Sequence, residues 1–86
     1  MEKKHIIELI NKYAQYVEKN PSDRYYRQVW MLCCSAFFTK ATIPAKVLLE
    51  NIEKLQNNAT ILNRRRIFRD DLITLKSFVE DIIANN

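Results

Sequence analysis

Glycine is absent from all 86 positions of this chain, and that single omission closes off most routes to a β-rich fold. The primed turns of tight hairpins need residues at positive φ, as do most left-handed helix caps, and phosphate-cradling loops are glycine-rich. Only Pro21 and Pro44 punctuate the sequence. What remains is a set of helices joined by short polar connections. Hydrophobic residues at 48% and charged residues at 28% are the proportions of an ordinary globular domain, neither disordered nor fibrous. At this length one core removes roughly 60 to 65% of the unfolded chain's surface from water, so residues 1–86 read as a single domain.

The apolar spacing predicts four helices. Ile6, Ile10, Tyr13 and Val17, widened by Ile7 and Ala14, form one face of the first. It ends at Lys19-Asn20-Pro21, because proline cannot continue a helix and restricts the residue before it. Ser22 is the expected N-cap of the second, with Asp23 in its first turn. That helix runs to Phe38 and is apolar on nearly every side from Trp30 onward, which makes it the expected central helix. Thr42 and Pro44 open the third, which runs to about Gln56 with Val47, Leu48, Ile52 and Leu55 inward and Glu50, Glu53 and Lys54 in water. Asn57-Asn58-Ala59-Thr60 is the last connection. Beyond it Phe68, Leu72, Leu75, Val79 and Ile82, with Ile61 one period upstream, make the longest helix. Connections of roughly 3 to 6 residues favour antiparallel neighbours, so the expected fold is all-α, an antiparallel up-down four-helix bundle.

Charge is concentrated in one place. Asn63-Arg64-Arg65-Arg66-Ile67-Phe68-Arg69 holds four arginines that account for the whole formal charge of +4, since the other ten basic residues balance the ten acidic ones. This is a local anion-facing patch on an otherwise neutral chain. With ~100° per residue and Phe68 at the centre of the buried stripe, Arg64 falls ~40° to one side and Arg65 ~60° to the other. Arg66 and Arg69 then point outward. Positive charge at a helix start opposes the macrodipole by roughly 0.3 to 1 kcal/mol per residue, so helix stability is a poor reason for the placement. Pairs such as Arg66 with Asp70 offset only part of it. The candidates for binding an anion or a partner are therefore Arg64, Arg65, Arg66 and Arg69, whose planar forks suit phosphate, nucleic acid or an acidic protein surface.

Little else suggests chemistry. His5 is the only histidine, which leaves a metal site or a histidine-activated nucleophile without partners. Cys33 and Cys34 are adjacent and have no companions, fitting neither a disulfide framework nor a zinc site, and read as reduced core residues. Glu50, Glu53, Asp70 and Asp71 all fall on polar faces, away from the burial that would split an acid from a base. Trp30 and Phe37 read as core. No catalytic residue, metal, cofactor or small-molecule substrate is expected. The longest apolar run, Val29 to Phe38, spans ten residues and is broken by Ser35, well short of the ~20 that cross a bilayer. Met1-Glu2-Lys3-Lys4-His5 lacks the apolar segment of a secretory signal, and the expected location is cytoplasmic.

Several segments carry a family likeness. These are Ile6-Ile7-Glu8-Leu9-Ile10, then Lys19-Asn20-Pro21-Ser22-Asp23-Arg24-Tyr25, then Pro44 with Val47-Leu48-Leu49 and Ile52 to Leu55, and finally Arg69-Asp70-Asp71-Leu72-Ile73-Thr74-Leu75. In order and spacing the chain resembles the immunity proteins of class II (pediocin-like, enterocin A-type) bacteriocins. The resemblance implies a cytoplasmic four-helix bundle that protects its producer from a pore-forming peptide. It also implies contact with the membrane-embedded mannose phosphotransferase receptor, the exposed side of the last helix and the chain's end inheriting the specificity role. The partner is then a membrane receptor complex or an anionic membrane surface at the inner face of the membrane, met as a monomer or homodimer. A second likeness, over Val47 to Leu75, is to small enterobacterial biofilm and acid-resistance regulators of the AriR type. That likeness implies a dimeric nucleic-acid-associated regulator. The absence of a glycine-containing helix-turn-helix turn weighs against sequence-specific DNA binding.

Overall fold

The computed structural model describes residues 2–85, the side chain of Arg65 lying outside that description. The described chain is all-helical, with α1 at Lys3–Lys19, α2 at Arg24–Phe38, α3 at Thr42–Gln56, α4 at Ala59–Asn63 and α5 at Arg65–Ala84. α1 lies chiefly against α2 and α3 chiefly against α5, with lighter contact between the two pairs. α2 touches α1, α3 and α5, and α5 touches all the other helices, so the central position expected for α2 is shared with α5. The single long last helix of the sequence reading is two helices meeting at Arg64. Asn58, expected within a loop, caps α4 by accepting from the backbone N–H groups of Thr60 at 2.9 Å and Ile61 at 3.3 Å.

The missing glycine has a visible substitute. Among the described residues none has positive φ, so no helix there ends through a left-handed residue. Instead the capping residue sends two donors back to one carbonyl. Asn20 gives its backbone N–H at 2.9 Å and its side-chain amide at 3.0 Å to the Tyr16 carbonyl. Asn57 does the same to Glu53, at 3.1 and 3.0 Å, and Asn85 to Asp81, at 3.0 and 2.8 Å. Thr39 ends α2 with its N–H and hydroxyl on Ser35, at 3.0 and 2.6 Å. A side-chain donor thus satisfies the last-turn carbonyls that a glycine motif would otherwise serve.

The core largely follows the predicted stripes. Ile6, Leu9 and Tyr13 of α1 are buried, as are Tyr26, Val29, Cys33 and Ala36 of α2 and Ala45, Leu48, Ile52 and Leu55 of α3. Ile61 of α4 joins Phe68, Leu72, Leu75, Phe78 and Val79 of α5. Two expectations fail at the edges, since Ile7 and Val47 are exposed while Leu9 and Ala45 take the inward positions. Trp30 and Phe37 pack against the core from partly buried positions. Cys33 is buried and Cys34 half-buried, both free thiols; burial, then the neighbouring Cys34 and Asp71, pushes the Cys33 thiol up to about 12.

At one end of the core four rings meet. Tyr16 stacks on Tyr26 at 4.8 Å, Tyr26 is 5.5 Å from Phe68, and Tyr13 is 6.2 Å from Phe68, centroid to centroid. The Tyr13 hydroxyl donates to Asp71 Oδ2 at 2.7 Å, and Lys12 Nζ donates to the same oxygen at 2.7 Å. Asp71 was expected on a polar face. It lies instead at the margin of the buried stripe of α5, where a hydroxyl on α1 needs an acceptor. Burial, followed by the bond to Asp71, raises the Tyr13 phenol well above the ordinary tyrosine range, so it stays a donor.

Candidate functional site

The arginine-rich segment spans the turn at Arg64 and the first turns of α5. Arg64 stands between the helices with φ −109° and ψ 22°, its N–H reaching the carbonyls of Thr60 and Ile61 at 3.2 and 3.0 Å. From there its side chain runs inward. The guanidinium carbon is 4.9 Å from the centroids of both Tyr26 and Phe68. Nη1 lies 2.9 Å from Asp23 Oδ2, each side chain about a quarter exposed, at 27% and 22%. Arg64 is thus a tie between the start of α2 and the α4–α5 corner, a stabilising role for this member that the expectation from helix stability did not include. A dipole argument considers only the helix that carries the charge; the ion pair and the two ring faces come from elsewhere in the fold.

Asp23 works with both oxygens. Oδ1 accepts from the backbone N–H of Tyr25 at 2.9 Å and Tyr26 at 3.3 Å, capping α2 in place of the expected Ser22, while Oδ2 holds Arg64. Burial pulls its carboxyl upward in pKa, but the Tyr26 N–H, Arg64 and the Tyr25 N–H together outweigh that and leave it below the ordinary aspartate value of 3.8. A carboxyl that titrates lower when folded adds stability that is complete above its unfolded pKa. That stability is lost as pH falls through the folded value. Urea unfolding of the parent chain should therefore weaken below about pH 4 by more than that of Asp23→Asn, the two curves converging in acid. Parallel pH profiles would contradict this.

The other arginines differ. The side chain of Arg65 lies outside the described residues. Arg66 and Arg69 are exposed, and neither has an ion pair among the described residues; the expected pair of Arg66 with Asp70 is not formed. Around them lie aliphatic residues that sequence reasoning did not single out, Leu62 at 53%, Ile73 at 48% and Ile67 at 38% exposure. Two open depressions meet at Leu62. One, of about 240 Å³, is lined by Gln56, Ile61, Leu62, Arg69, Leu72 and Ile73; the other, of about 610 Å³, by Leu62, Asn63, Arg64, Arg66 and Ile67. The available signal was spacing within α5, because Arg66, Arg69 and Ile73 recur at three and four residues; Leu62, on α4, is brought beside them by the turn at Arg64.

Elsewhere an open groove of about 430 Å³ separates α2 from α3, between Met31, Leu32 and Ser35 on one side and Asn51, Lys54 and Leu55 on the other. Phe38 and Ile43 are exposed at 75% and 77%. Trp30 keeps its indole Nε1 enclosed with no acceptor among the described residues. His5, Glu50, Glu53 and Asp70 are exposed, Glu50 and Glu53 one turn apart on α3 and the other two on α1 and α5, and no three His, Cys, Asp or Glu side chains gather as metal ligands among the described residues. No helix among the described residues is long and apolar enough to cross a membrane. Comparison with family models, with curated proteins and with solved structures returns no match for this chain.

Proposed function

We propose that this chain is a non-catalytic binding protein of the bacteriocin-immunity type. It works in the cytoplasm, at the inner face of the membrane, on a membrane receptor complex or the anionic membrane surface around it, and its contact surface is the α4–α5 corner. The architecture in this reading is an antiparallel up-down bundle in which α4 and α5 together make a bent fourth helix. Supporting it are the pairing of α1 with α2 and α3 with α5 and the short connections between helices.

One observation carries the functional reading. Arg66 and Arg69 remain exposed without an ion pair among the described residues and are interleaved with exposed aliphatic side chains, while Arg64 is engaged internally. Arginine beside apolar side chains is the composition of a contact patch. The same split disfavours a nucleic-acid regulator, because Arg64 is withdrawn from the phosphate-binding set and Leu62, Ile67 and Ile73 give nothing to a phosphate backbone.

Expression in bacteriocin-sensitive cells, with survival scored against a panel of class II peptides, tests the reading. The parent chain should protect against at least one peptide. Arg66→Gln/Arg69→Gln should lose that protection while unfolding within about 0.5 kcal/mol of the parent, as exposed substitutions do. An unprotected host across the whole panel would contradict the proposal.

A further inference from the structure

We infer that the α4–α5 corner binds the headgroups of anionic phospholipids, with Arg66 and Arg69 on the phosphates and Leu62 and Ile73 seated at the boundary of the acyl chains. The inference rests on the reading of this corner as the contact surface and specifies what it touches.

Charge complementarity is the first ground. The acids around the corner are largely committed, Asp23 to Arg64 and Asp71 to Lys12 and Tyr13. Asp70 is exposed and lies one turn from Arg66, ~40° round the helix, so it offsets part of the arginine charge and leaves the two arginines in excess. Of the four arginines, Arg66 and Arg69 are therefore the ones shown facing outward here. The second ground is the mixture itself. Leu62 and Ile73 are about half exposed and line the same depression as Arg69. An interfacial site combines such apolar side chains with cations whose stems lie along them. The third is shape, since the depressions at this corner are open and a bilayer surface needs no matching cleft. Without a crossing helix among the described residues, attachment would be peripheral and salt-sensitive.

Each arginine near an anionic surface contributes about fivefold in affinity, so the pair contributes about 25-fold. The test is co-sedimentation of the full chain with vesicles of phosphatidylcholine alone and of phosphatidylcholine mixed equally with phosphatidylglycerol, at low salt. Binding is expected to the mixed vesicles only. It should fall about 25-fold in Arg66→Gln/Arg69→Gln, survive in Arg66→Lys/Arg69→Lys, which keeps the charge, and weaken several-fold in Leu62→Ser/Ile73→Ser. Circular dichroism confirms that each variant is folded. Absence of binding, equal binding to both vesicles, or full binding by the glutamine pair would overturn the inference. Protection of cells without vesicle binding would overturn the lipid assignment and leave the immunity reading standing. Vesicle binding without protection would support the lipid site and remove the immunity reading.

Discussion

Phe68→Ala is expected to lower the unfolding free energy by about 3 to 5 kcal/mol, a large part of the roughly 4 to 13 kcal/mol available to a domain of this size. Phe68 has no solvent exposure and sits where α1, α2 and α5 meet, with Tyr13 and Tyr26 at 6.2 and 5.5 Å and the Arg64 guanidinium over its face. Truncation removes the ring's own burial, leaves a cavity beneath two tyrosines, and takes away one of the faces that hold Arg64. Phe68→Leu refills much of the volume without the ring face and should cost less, about 1 to 1.5 kcal/mol. Urea unfolding measures both. Alanine and leucine variants of equal stability would show that the ring cluster does not organise this end of the core.

The second large effect belongs to Arg64. Arg64→Ala should destabilise by about 2 kcal/mol, combining a partly buried charged hydrogen bond with two cation–π contacts. The effect should depend on Asp23. In a double-mutant cycle with Asp23→Ala the coupling should be about 0.5 to 1.5 kcal/mol, because the Nη1 to Oδ2 contact is lost in either single variant, whereas the contacts of Arg64 with Tyr26 and Phe68 are lost only with the arginine. Asp23→Ala alone should cost more than an ordinary N-cap, for which about 1 kcal/mol is typical, since one carboxylate serves α2 and the corner together. Strict additivity of the two substitutions would contradict the tie.

Helix class and most of the core were legible from residue spacing. The stripes through Ile6 and Tyr13, through Leu48, Ile52 and Leu55, and through Phe68, Leu72, Leu75 and Val79 lie within sequence-local periods, and the structure buries all of them. What spacing did not carry was contact between distant segments. Asp23 and Arg64 are 41 residues apart and Tyr13 and Asp71 are 58 apart, so nothing local announces that either acid is already engaged. The break at Arg64 was missed for a related reason. No proline or glycine marks it, and Asn58 signals a helix start only if its side chain is assigned to Thr60 and Ile61 rather than to a loop. Of the arginine cluster, the outward placement of Arg66 and Arg69 followed from the helical wheel. The wheel also set Arg64 beside the buried stripe, but not its partner Asp23, which lies 41 residues away on another helix's cap.

The central claim is that these arginines divide into a structural one and an exposed pair. The thermal midpoints of Arg64→Gln and Arg66→Gln/Arg69→Gln, compared with the parent in one buffer, test it most directly. At about 4 to 8 °C per kcal/mol for a domain of this length, Arg64→Gln should melt about 8 to 16 °C below the parent. The exposed pair opposes the dipole of α5, so its removal should leave the midpoint unchanged or raise it by a few degrees. Equal melting of all three chains, or a larger loss in the double variant than in Arg64→Gln, would contradict the division.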